Sequence, residues 1–158
     1  MQVSKCYQIP LLHLDQINYI SDWQYRDTDE AIEILQTQLT KASWIIDGNY
    51  SNLMYQERLA LANFIIVLQF SRWSSLLRVF KRTIKYYKKS RPDMSEGCPE
   101  RFDLEFIWWI LYAGRTKAKR KNYDKIKYKY HDKVISIKNQ RQLNQLYQES
   151  DIQKLLKS

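Results

Sequence analysis

Glycine is scarce in this chain of 158 residues: Gly48, Gly97 and Gly114 are its only three, and none precedes a lysine. Nowhere do they take the G-x-x-x-x-G-K-[ST] spacing whose backbone amides cradle phosphates, so no such loop lies within the sequence. Cysteine is as rare. Cys6 and Cys98 stand about ninety positions apart, which excludes a disulfide framework or a zinc pattern and makes a reducing cytoplasm the expected location. The longest apolar run, Phe106-Ile107-Trp108-Trp109-Ile110-Leu111-Tyr112, falls well short of the ~20 residues of a membrane span. No membrane partner is expected, nor a signal peptide in residues 1–6, which lack the basic-then-apolar layout.

Positive charge is scarce in the first part of the chain and concentrated in the rest. Residues 1–71 hold 4 Lys or Arg against 8 Asp or Glu, residues 72–101 hold 9 against 3, and residues 115–141 hold 11 against 2. The net charge of +9 therefore arises wholly after the fourth apolar segment. Such a field suits phosphates, on a nucleotide or along a nucleic acid, or forms a solvated basic face.

With 44% hydrophobic residues, the length suits one α/β domain. Ile9-Pro10-Leu11-Leu12-His13-Leu14-Asp15 reads as a short strand ending on a carboxylate. From Thr28, Ala31, Ile32, Leu35 and Leu39 recur at helical spacing toward Ala42. Trp44-Ile45-Ile46-Asp47-Gly48-Asn49-Tyr50 is a buried strand stopped by Asp-Gly, where open α/β sheets keep ligand sites. Met54–Leu61 reads as helix and Asn63–Phe70 as a second buried strand. Ser71 then caps a helix whose apolar stripe is Trp73, Leu76, Leu77, Phe80 and Ile84. A Pro/Gly loop spans 90–99, an aromatic helix Asp103–Tyr112, a strand Val134–Ile137, and a terminal helix includes Leu143, Leu146 and Tyr147. Strand and helix alternate as in a parallel sheet.

Each chemically suggestive residue has a structural rival. Asp47 reads as a magnesium- or water-positioning carboxylate, or as a turn residue. Asp15 could hold a substrate hydroxyl or amine, or close a turn. Arg78 and Arg82 share a helix face and could clamp a phosphoryl group, or be solvated. Arg91 and Arg101 bracket the loop and would suit a mobile cover. His13 reads as a packed core histidine, His131 as exposed, and Cys98 has no histidine partner. Phe102, Phe106, Trp109 and Tyr112 fall on one face, which favours burial over a base-stacking platform and leaves Trp108 unexplained.

Leu14-Asp15, the Trp44–Tyr50 segment, Arg72-Trp73, Arg78-Val79-Phe80-Lys81-Arg82, and Arg91-Pro92-Asp93-Met94 running through Glu96-Gly97-Cys98-Pro99-Glu100 to Asp103-Leu104-Glu105-Phe106 together carry a resemblance. From about Tyr7 to Tyr147 the chain resembles the bacterial topology modulation proteins, FlaR-related P-loop NTPases similar to adenylate kinase. The resemblance implies a single kinase-like domain over 1–158 with a lid-like insertion around 85–130. It implies magnesium at Asp47, ATP contacts at Asp47, Gly48 and Arg78, an acceptor site at Asp15 and Asn49, and catalytic cations Arg78, Arg82 and Arg91.

Members of that family open with a strand, a phosphate loop and a helix, whereas only about six residues precede the second strand here. The missing strand lies centrally in such folds, between the Trp44 and Phe64 strands. Its loss should expose both neighbours' edges or force them to pair directly. The sequence thus predicts a truncated, marginally stable α/β domain, either a start-site or frameshift fragment or one completed by another chain through its sheet edges. Its expected functions are an inactive phosphotransferase scaffold whose acceptor the residues do not name, or a nucleic-acid-binding protein using residues 115–141, where Tyr123, Tyr128 and Tyr130 interleave with the bases.

Overall fold

In a computed structural model of the chain, residues 2–100 and 104–148 are described. Arg101, Phe102 and Asp103, each singled out above, lie outside the described residues. The chain divides into two units, Met1–Ala62 with Thr83–Arg101, and Asn63–Arg82 with Phe102–Ser158.

The first unit begins with α1 (Gln2–Tyr7) and β1 (Leu11–His13), which passes directly into α2 (Leu14–Asn18). Asp15 therefore lies in the first turn of a helix, where the helix dipole favours a carboxylate, and not at a strand end. α3 (Thr28–Leu39) starts where Asp27 accepts hydrogen bonds from the amides of Asp29 and Glu30, satisfying two of the first turn's orphan donors. β2 (Ile45–Asp47) and α4 (Tyr55–Leu61) follow. β1 and β2 pair in parallel, with His13 opposite Asp47. Leu14, Ile17, Ala31, Leu35 and Leu53 form the buried core, so α2 and the inward face of α3 close over the strand pair.

The 87–100 segment belongs to the same unit and is fastened to α2 and the turn that follows it. Ser95 Oγ donates to the carbonyls of Gln16 and Tyr19 at 2.9 and 2.5 Å, and Gln16 Nε2 donates to the Pro92 carbonyl at 2.9 Å. The buried Cys98 thiol donates to the Ile20 carbonyl at 2.9 Å. Gly97 has φ +78°, and a Cβ there would stand 2.9 Å from Ser21 Cβ, so the close approach of loop to turn requires glycine.

In the second unit, β3 (Ile65–Leu68) pairs in parallel with β4 (Val134–Ile137), and Phe70, Ile137 and Leu146 make its core. α5 (Arg72–Tyr86) is capped by Ser71, whose hydroxyl accepts from the Ser74 amide at 3.2 Å. The unit boundary falls within α5. α6 (Leu104–Leu111), α7 (Lys117–Lys129) and α8 (Gln140–Gln148) complete the described residues.

The class is mixed α/β with small parallel sheets, and several of the expected burials differ from what is found, β2 among them with Ile45 and Ile46 only half-buried. Among the described residues the strands form two pairs, β1-β2 and β3-β4, so that β2 and β3 do not pair with each other and each strand keeps one edge outside a ladder. β3 buries Ile65 and Val67 but exposes Ile66 and Leu68, because its sheet is covered on one face only. The α5 stripe and the α6 aromatics face largely outward. On α6 only Ile110 is buried, while Phe106 stacks on Trp109 and Trp108 packs against Tyr112, so the rings shield one another in place of a core.

Candidate functional site

The carboxyl ends of β1 and β2 bring several of the singled-out residues together. Register partners on adjacent parallel strands project side by side, and His13 Nδ1 lies 3.2 Å from Asp47 Oδ2. His13 is buried, as its place in an apolar run suggested, whereas the Asp47 side chain is 69% exposed. The tautomer that carries its proton on Nδ1 donates to Asp47 and leaves Nε2 as an acceptor.

Beyond Asp47 the chain turns sharply. Gly48 has φ +139°, and a Cβ there would meet the Leu14 Cβ at 2.6 Å, so both backbone conformation and space demand glycine. Tyr50 then donates from its hydroxyl to Asp15 Oδ1 at 2.5 Å, linking the loop after β2 to the first turn of α2. Burial and that bond push the Tyr50 phenol well above its ordinary pKa. Tyr19, which donates to the Tyr25 hydroxyl at 3.4 Å, is pushed up to about 12, chiefly by burial.

Arg58 holds this loop from behind. Buried in α4, it donates from Nε to the Leu53 carbonyl at 2.7 Å and from one terminal nitrogen to the Tyr50 carbonyl at 2.6 Å, and it reaches the Gly48 carbonyl at 3.5 Å. Desolvation lowers its pKa from the ordinary arginine value. No sequence pattern marked Arg58, and Tyr50 entered only as the end of a motif. An arginine inside the helical 54–61 stretch, ten positions past the only glycine nearby, was the available signal for a loop clasp.

The other candidate residues are placed differently. Asn49 is exposed beside Gly48. Arg91 is buried among carboxylates of its own loop: it donates to Asp93 at 3.0 Å, and its Nε lies 2.7 Å from Glu100 Oε2 without the alignment of a hydrogen bond. Glu100, also buried, accepts from Thr83 Oγ1 at 3.3 Å. Arg78 and Arg82 belong to the second unit, where Arg78 covers the Phe70 ring and donates to Gln140, and Arg82 covers the Phe106 ring.

For the magnesium nucleotide that the resemblance implies, this end of the sheet offers the exposed Asp47 carboxylate. Among the described residues, no three His, Cys, Asp or Glu side chains gather as a metal site. Without a glycine–lysine loop in the sequence to hold the phosphates, the residues present do not form a Mg·ATP site. Compared with known proteins, the chain matches no protein-family model, no curated protein and no solved structure.

Proposed function

We propose that the chain is a nucleotide-kinase-like scaffold of the topology modulation type, of P-loop NTPase ancestry, which by itself does not transfer phosphoryl groups from ATP. One observation carries this reading: an exposed Asp47 ends a parallel strand, is paired with His13, and is followed by a backbone at φ +139° that only glycine, Gly48, accommodates. That is the position of a ligand-side carboxylate in an open α/β sheet. The acceptor side would be Asp15 and Asn49, with Tyr50 bonded to Asp15.

The test adds, in trans, a synthetic strand–G-x-x-x-x-G-K-[ST]–helix peptide and measures ATP binding by calorimetry. The chain alone should show neither turnover nor an affinity tighter than about 1 mM, equivalent to about 4 kcal/mol. With the peptide, magnesium-dependent binding should appear, and Asp47→Asn should remove it. Turnover by the chain alone, or peptide-induced binding indifferent to Asp47→Asn, would sink the reading.

A second reading, a nucleic-acid-binding protein, draws on α7. Lys117, Lys119, Arg120, Lys121, Lys125 and Lys129 are exposed there, and Tyr128 is 87% exposed among them. Exposed bases with an open ring suit backbone contact and stacking. Binding that falls steeply with salt and weakens on Tyr128→Ala supports it; undetectable affinity at low salt rules it out.

A further inference from the structure

The apolar stripe of α5 faces solvent. Trp73, Leu77, Phe80 and Ile84 are 72%, 60%, 51% and 63% exposed. At 3.6 residues per turn these four fall within roughly 60° of one another, a continuous ridge along one side of the helix. Its packed side is a different one, carrying Leu76, Val79 and the buried Thr83. Beside the ridge lies a cationic flank in which Lys81 and Lys85 are exposed, with Arg72 exposed at the helix start. No acidic residue occurs between Glu57 and Asp93, so nothing on this helix neutralises them.

α6 widens the surface. Arg72 covers the ring of Tyr112, just past the end of α6, and Arg82 covers Phe106 near its start, so the two helices run antiparallel. Leu104 and Trp108 of α6 are exposed as well.

We propose that α5 is an interfacial helix that lays its Trp73–Leu77–Phe80–Ile84 ridge into an anionic lipid surface, with Arg72, Lys81 and Lys85 at the headgroups. An apolar face with tryptophan and phenylalanine beside a purely basic flank is the composition that binds in the plane of a bilayer without crossing it. The absence of a spanning helix among the described residues is compatible with this, since a surface helix needs no such length. Charge decides the occupant. Two copies joined by these ridges would bring the Lys81 and Lys85 flanks together, and a nucleic acid would neutralise the cations but leave the ridge uncovered; anionic headgroups over acyl chains satisfy both.

The test uses the full chain with vesicles of phosphatidylcholine alone and with about 30% phosphatidylserine, read by co-sedimentation and tryptophan fluorescence, with circular dichroism as the folding control. Expected is a blue shift and binding at least about tenfold tighter to the anionic vesicles. The charge-neutral pair Leu77→Gln with Phe80→Gln should lose at least about tenfold of that binding, whereas Lys125→Gln with Lys129→Gln on α7 should cost far less. Three results would overturn the proposal: no binding to anionic vesicles at low salt, binding indifferent to the ridge substitutions, or a concentration-dependent dimer that shields Trp73 without lipid.

Discussion

Replacing Arg58 with alanine tests how the candidate site is held. The guanidinium makes two short hydrogen bonds, 2.7 Å to the Leu53 carbonyl and 2.6 Å to the Tyr50 carbonyl, and a long one to Gly48. A hydrogen bond with one charged partner contributes about 1.5–3 kcal/mol, so the two short ones amount to about 3–6 kcal/mol. Relief from burying the cation offsets part of this, and the cavity left by the side-chain stem adds to the loss, leaving a net destabilisation of about 2–4 kcal/mol. At ~2–4 °C per kcal/mol, a loss near 3 kcal/mol lowers Tm by ~6–12 °C, measurable by circular dichroism. Arg58→Lys keeps the charge, but a single ammonium cannot reach both carbonyls as the fork does, so it should recover less than half of the loss. A melting point for Arg58→Ala within about 2 °C of wild type, or full recovery by lysine, would refute the clasp.

Gly48→Ala should cost more than about 2 kcal/mol, through left-handed backbone strain and the contact with Leu14, with urea unfolding as the measurement. Glu100→Gln should cost about 3 kcal/mol by stripping charge from a buried pair with Arg91, and should speed amide exchange across residues 88–100. Tyr19 and Tyr50 both titrate above their unfolded value near 10, so their neutral forms favour the folded state. That stability is complete below about pH 10 and declines as pH rises toward and beyond 12. Tyr50→Phe should flatten the decline in alkaline unfolding curves, and an unchanged slope would count against the buried phenol.

Local chemistry made much of this chain legible without a structure. The apolar runs located β2, β3 and β4; Ser71 marked the start of α5; helical spacing from Thr28 located α3; and His13 inside an apolar run pointed to its burial. Each of these depends on residues within one or two turns of one another. The tertiary structure decided what lies across the sequence. It set His13 against Asp47, Tyr50 against Asp15 and Arg58 against the loop carbonyls, and it sorted the strands into two pairs. It also turned the α5 ridge outward. Periodicity states which residues share a face, but which faces are covered depends on the neighbours the chain supplies, and a two-stranded sheet supplies too few to cover both sides of its strands.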